Sequence, residues 1–429
     1  MPIIAPRQIP TWAPAERPIE NFQEGHKWTA TGSNLGSSNL NDTSEFVRGT
    51  QCASITTAGN ATATVQEQAN IQLLGGPARD LNNRAIRLTF KVDDTSKLRW
   101  INFYVGTSAF ANNFRWRIYT RQSTQNWVQS GEWVIVTLQW GDLSGAGGNY
   151  TLSANRVPST RSGFTDMRFS VIDAGTGPCH VKLQSVEFIA DTRVTYPNGL
   201  VSITFDDSWS DVFDNARPAM DTYGFRGTTY TIAEHIGKAG RYTLPQLKAA
   251  QNNSGWEVAG HSFKAAAHEK RYDGDTAEAV DADAAGLRGW LVDNGFRSDS
   301  FAYPGGRFGK TTDGVPVESI VARYFSTGRS IIAEDNREIP SAPMPHRLRS
   351  LTGISSYSTG AANPLTLTQP GGMLDRAQLA GGWLILCFHR VVTTNPTDPA
   401  QCSKNDFESI MKAIANRGIP VLPVGEVMK

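Results

Sequence analysis

The sequence predicts a multidomain protein, an all-β sandwich of jelly-roll type followed by an α/β barrel. Three observations carry this. At 429 residues the chain exceeds one ordinary domain, and about one domain per 150 residues suggests two or three. Between residues 26 and 192 apolar residues recur with period two, the signature of half-buried strands. Near residue 195 the pattern changes to short apolar runs alternating with helical stripes, which reads as α/β.

Residues 1–25 are Pro-rich, with few apolar clusters, and read as an extended N-terminal arm. Residues 26–192 follow as the sandwich. Ile86, Leu88, Phe90 and Val92 share one face, with Arg87, Thr89 and Lys91 on the other. Phe114, Trp116 and Ile118 repeat the pattern, as do Val134, Val136, Leu138 and Trp140, and Met167, Phe169 and Val171. Seven of the eleven tryptophans lie in this half: Trp12, Trp28, Trp100, Trp116, Trp127, Trp133 and Trp140. Aromatic faces stack on sugar rings, but large aromatics are mostly packing residues, and that is the reading taken for each alone. Trp127, in the polar stretch 122–129, is the candidate for exposure.

The segment 191–199 is a linker with a Pro-Asn-Gly turn signal. The second domain spans 197–429. Val201–Phe205 reads as a strand, and 212–223 as a helix that Pro218 must kink or restart. Val280, Ala284, Leu287 and Leu291 form a helical stripe closed by Gly295. Leu384–Phe388 is a buried strand, Phe407, Ile410, Met411 and Ile414 mark a last helix closed by Gly418, and Ile419–Val424 reads as a final strand.

Composition narrows the functions. Lys+Arg is 41 and Asp+Glu is 40, a formal net charge of +1, which argues against nucleic-acid binding by bulk charge. No apolar run approaches the roughly 18 residues of a membrane span. The four cysteines have no Cys-x-x-Cys spacing, which disfavours a cysteine zinc site; Cys52–Cys179 is the candidate bridge. The N-terminus has no basic stretch leading into an apolar core. The expectation is a protein that stays inside, leaves by lysis or within a particle, or has lost a leader.

Four blocks in the second half carry chemistry. Ile203-Thr204-Phe205-Asp206-Asp207 places two acids at the end of an apolar strand. At that lip both can reach one cleft, one as base and one as metal ligand, or they can cap the following helix. Gly260-His261-Ser262 with His268 offers two imidazoles, either metal ligands or surface histidines. Phe301-Ala302-Tyr303-Pro304-Gly305-Gly306 ends in a tight turn where glycine lets backbone approach a ligand. Leu384-Ile385-Leu386-Cys387-Phe388-His389 ends a strand on a histidine, an active-site position in such folds or a buried structural one.

Taken in order, these blocks resemble the polysaccharide deacetylases of carbohydrate esterase family four, the NodB-homology group, over roughly Gly199–Val424. The resemblance implies a distorted (β/α) barrel with fewer than eight repeats. It implies Asp206 as catalytic base, His389 as general acid, and Asp207 and His261 as ligands of a divalent metal, zinc. It further implies a substrate and oxyanion wall of Tyr303, Pro304, Gly305, Trp383 and Cys387, with the Gly305 N–H facing the oxyanion and Cys387 where the family often has an acetyl-pocket Leu.

Two departures stand out. The family's second histidine falls at Ala265, leaving His268 as the substitute third ligand. Seven residues of helix would space His261 and His268 about 10 Å apart, so the segment must loop for both to reach one metal. The family's base-orienting Arg falls at Ala302. The implied reaction is removal of N- or O-acetyl groups from a bacterial surface glycan, capsule or peptidoglycan. The alternatives are a catalytically decayed glycan-binding or structural protein, or a metal-free glycoside hydrolase using Asp206 and a distant carboxylate. The sandwich is expected to bind carbohydrate or attach to a particle. The whole resembles bacteriophage tail proteins, with other virion proteins or further copies as partners; an extracellular bacterial enzyme is the other setting.

Overall fold

Alternating apolar residues become strands because each buries one face. The computed structural model describes residues 20–62, 68–118, 127–140, 150–155, 161–331, 337–340 and 342–429. The chain divides into two units, Met1–Val194 and Thr195–Lys429.

The first unit holds two antiparallel sheets. In order across the sheet, one contains Thr29–Thr31, Ala69–Leu73, Asp166–Asp173, Leu98–Thr107, Asn112–Ile118 and Tyr150–Asn155. The other contains Leu35–Asp42, Cys52–Thr57, His180–Ala190, Arg84–Val92 and Trp133–Leu138. Their apolar faces meet: Phe90 of one lies 5.9 Å, ring to ring, from Phe169 of the other.

Three expectations change in this unit. Residues 1–19 of the expected arm, Trp12 among them, lie outside the described residues. Residues 20–25 are not an extended arm: Glu20 bridges to Val186 and Phe22 is fully buried against Trp28, because a Phe side chain loses more in water than the turn costs. Trp127 is buried rather than exposed, and its neighbour Val128 is buried with it. Cys52 and Cys179 are free buried thiols, and burial pushes each up to about 12.

The second unit is built on six parallel strands in the order Thr327–Arg329, Ser300–Ala302, Glu257–Ser262, Thr228–Ile232, Leu200–Phe205 and Trp383–Phe388, with Arg337–Glu338 antiparallel at one edge. Residues 348–351 link the two ends of the parallel array. Leu348 N–H donates to Gly328 O at 2.9 Å, and Leu351 N–H to Ile385 O at 2.9 Å. Parallel bridges Arg329–Leu348 and Leu351–Leu386 result, closing the array into a distorted barrel.

The helical stripes form as patterned. Ala277–Asp293 buries Val280, Ala284, Leu287 and Leu291, and Thr276 caps its start. A Cβ on Gly260 would lie 2.7 Å from Leu287 Cδ2, so glycine next to His261 lets this helix seat on the strand. Lys404–Asn416 is capped by Ser403 and buries Phe407, Ile410, Met411 and Ile414. The segment after Asp207 is a π-helix, Val212–Ala216, and Pro218 restarts it as an α-helix at Arg217–Asp221. The expected strand 419–424 does not form. It keeps one bridge, Val201–Val421, and turns into the short helix Val424–Val427, because Pro420 and Pro423 have no N–H to give a ladder.

All of the closed parallel array lies within Thr195–Lys429. That segment expressed alone is expected to unfold cooperatively, with one transition by both circular dichroism and tryptophan fluorescence. A non-cooperative transition would show that the first unit completes its core.

Candidate active site and metal centre

The site forms where the parallel strands end. Asp206 follows Leu200–Phe205, and its N–H donates to Phe388 O at 3.0 Å, so the start of the turn is held to the neighbouring strand. Strand alternation would point Asp207 away. Instead Asp207 and Ser208 take φ of 70° and 65°, a left-handed pair that brings both carboxylates to one side. Three bonds pin this strained turn. Ser208 Oγ accepts from Ile232 N–H at 2.9 Å, Ser208 O from Tyr242 N–H at 2.8 Å, and Asp207 O from Arg241 Nη1 at 2.6 Å. Such strain concentrates at functional sites. The alternative role as a helix cap is absent, since no side-chain cap bond starts the following helix.

Asp206 is buried, and Arg329 Nη2 donates to both its oxygens, at 2.6 and 2.5 Å. Arg329 is itself fully buried, lies over the Tyr230 ring at 5.0 Å, and donates through Nη1 to Ser350 Oγ at 3.2 Å. Burial pushes the Asp206 carboxyl up, but Arg329 first, then His261 and His389, hold it below the usual carboxylate range. The guanidinium missing at Ala302 is thus supplied by the next strand, where Ala302 and Arg329 are direct register partners. Ala302 and Ala259 cluster beside Tyr230 in the barrel interior, and their small side chains leave room for Arg329.

Asp207, His261 and His268 converge. His268 Nε2 lies 3.1 Å from Asp207 Oδ1 and 3.1 Å from His261 Nε2, and His261 Nε2 is 3.6 Å from Asp207 Oδ1. Two histidine ligands with Zn–N of about 2.0–2.1 Å in a tetrahedron stand roughly 3.3 Å apart, so this spacing fits a cation. The tautomer fits as well. His261 Nδ1 donates to Ala302 O at 2.7 Å, leaving Nε2 a lone pair toward the cluster. Burial works against the charged Asp207, yet His261 and His268 hold its carboxyl far below the ordinary range.

His268 arrives on a helix that follows a short loop. The chain turns at residues 262–264 and starts the helix Ala265–Lys270, which brings His268 back over His261. The buried Asp283 holds that turn, accepting Phe263 N–H and Lys264 N–H at 2.9 Å each and the Tyr272 hydroxyl at 2.7 Å. The Asp283 signal was an acid on the apolar stripe of its helix. Arg329 had no local signal.

Asp206, Cys387 and His389 form a second group of potential ligands. It suits acid–base work better than metal. Both Asp206 oxygens are taken by Arg329, and burial pushes the Cys387 thiol up to about 12, so it stays a neutral donor 3.4 Å from Asp206 Oδ2. His389 is half-buried, with a buried Nδ1 that lacks a hydrogen-bond partner.

The expected substrate wall is only partly there. Gly305 is exposed at φ 59° beside Arg271. Tyr303 is not a wall residue: it is fully buried, and its hydroxyl donates to His346 O at 2.8 Å. Pro304 is buried at the same turn. Trp383 is also misplaced by the expectation. It begins the strand whose other end leads to His389, donates to Ser202 Oγ at 2.9 Å, and packs with Leu200 and Val424. Five residues of strand put it roughly 16 Å from the site.

Residues 193–317 match the family described as polysaccharide deacetylase. The matched stretch contains Asp206, Asp207, His261 and His268. Among curated proteins, YxkH of Bacillus subtilis (strain 168) is 29% identical over 166 residues, 38% of this chain and 55% of that relative. The chain thus spans about half the length of the curated relative it matches. Among solved structures, a family 4 carbohydrate esterase from Streptomyces lividans aligns at 17% identity and TM-score 0.34, over 52% of this chain and 92% of that one. The Streptococcus pyogenes deacetylase PplD aligns at 21% identity and TM-score 0.30, over 35% and 62%.

Proposed function

We propose that the second unit is a metal-dependent hydrolase that removes acetyl groups from a polysaccharide. One observation carries this reading: two adjacent acids with opposite surroundings. Asp206 is enclosed and held ionised by a guanidinium, while Asp207 faces two imidazoles. Asp207, His261 and His268 would hold a divalent cation, zinc by its donor set, which when bound supplies Lewis acidity to an acetyl carbonyl. Asp206, ionised and oriented by Arg329, takes the proton of the attacking water. His389 delivers a proton to the departing amine or alcohol. The exposed backbone at Gly305 offers its N–H to the oxygen that gains charge. Cys387, a neutral thiol, keeps one Asp206 oxygen in place.

The first unit serves this reaction as a carbohydrate-binding or attachment module. The reading carries a setting where acetylated surface glycans are met, on a bacteriophage particle or outside the bacterial cell.

Acetate release from a panel of acetylated glycans, with chelator and after metal is restored, tests the proposal. Release is expected to vanish with chelator and return with zinc. Asp206→Asn is expected to lower release by about 10²–10⁴ while retaining metal. Release indifferent to chelator, or an active Asp206→Asn protein, would overturn it.

A further inference from the structure

The lip around Asp207 carries an unusual set of cations. Trp209, two residues on, has the Arg241 guanidinium 3.4 Å from its ring centroid and that of Arg390 4.6 Å from it. Arg390 follows His389 directly and pairs with Asp211 at 2.7 Å. Arg241 donates to the Asp207 carbonyl and makes no close ion pair among the described residues, with the Asp207 and Asp211 carboxylates nearby. His235 lies against the same carbonyl, with a buried Nδ1 that lacks a hydrogen-bond partner.

A third guanidinium stands over the Gly305 turn. A Cβ built on Gly305 would lie 2.8 Å from Arg271 Nε. Arg271 is exposed, three residues after His268, and it has no carboxylate partner among the described residues. Its backbone has φ 62° and ψ 152°, a region otherwise almost confined to glycine. The helix carrying His268 ends there, so the strain holds the guanidinium beside the turn.

Trp209, covered by guanidinium, is a poor platform for a sugar ring. The guanidiniums, Arg390 paired with Asp211 and Arg271 without a carboxylate partner among the described residues, are the more direct recognition element, because a guanidinium fork matches a carboxylate. Resting on the deacetylase reading, we propose that Arg241, Arg390 and Arg271 select an acidic glycan, one in which the sugar adjoining the acetylated residue carries a carboxylate. Neutral acetylated chains then bind the same cleft without these contacts.

Two probes differing only in charge test this: hyaluronan hexasaccharide, which carries both acetamido and carboxylate groups, and the same oligosaccharide with its carboxyls reduced to alcohols. Calorimetry uses the full-length zinc-loaded protein with His389→Gln, which slows turnover. The reduced probe is expected to bind about tenfold more weakly. The gap should narrow to about threefold or less on adding Arg271→Gln, or on raising salt from about 50 to about 500 mM. Equal affinities, or binding of neither probe, would overturn the inference. The comparison of probes needs no arginine variant, so a poorly folded Arg241→Gln or Arg271→Gln protein does not decide it. Acetate release from a small neutral ester by the unmodified protein reports separately on the reaction. If release is absent but the acidic probe is preferred, the deacetylase reading fails alone; release without that preference fails the inference alone.

Discussion

Arg329→Gln is expected to lower kcat/KM for acetate release by about 10²-fold, the scale on which misplacing a reacting group by an ångström acts. It should also move the acid limb of the pH–rate profile upward. The sign follows from the surroundings of Asp206. Burial alone pushes that carboxyl up, and Arg329 is foremost among the groups that hold it down. Without Arg329 the base stays protonated to higher pH. Stability follows the same linkage. A carboxyl lowered on folding contributes stability above its unfolded value of about 3.9, lost as pH falls through the folded value. In Arg329→Gln that contribution disappears and a buried carboxylate is left without its partner, a loss of about 3–5 kcal/mol by analogy with other broken buried pairs. Urea midpoints at several pH values measure it. Arg329→Lys keeps the charge without the fork and should fall between the two. An unshifted acid limb with unchanged kcat would show that Arg329 does not position the base.

Removing Asp207 from the proposed metal site is expected to abolish both metal binding and its stabilising effect. A cation held only by the folded protein adds about 4 kcal/mol when present at roughly a thousand times its Kd. Chelator should therefore lower Tm of the unmodified protein by several degrees, and Asp207→Asn should show no such response. His261→Ala and His268→Ala should both bind metal more weakly. Excess metal should rescue His268→Ala further, since His268 sits at the more open side of the cluster, whereas His261 is buried and oriented by the Ala302 carbonyl. Elemental analysis after dialysis and thermal scans with and without zinc measure these effects. A His268→Ala protein with full metal affinity would remove His268 from the ligand set.

The sequence by itself determined most of the elements and where the candidate acids and histidines fall. A strand's apolar run, a helix's stripe and the acids or histidines that end them are contiguous in the chain, so periodicity shows both element and lip. Asp206, Asp207, His261 and His389 were legible for that reason. His268 was legible as a residue type but not in geometry, because its return over His261 depends on Asp283, which holds the turn at 262–264. Burial decided Tyr303 and Trp383 against their aromatic promise, since nearness in sequence to a motif says nothing of which end of a strand a ring occupies. Arg329 was visible only in three dimensions. It lies 123 residues from Asp206 on a three-residue strand. Its role arises because parallel register sets it beside Ala302, and the closed barrel turns its side chain inward past Tyr230. Local pattern encodes what a residue's neighbours in the chain require; the partner of a buried charge is chosen by the register of strands far apart in that chain.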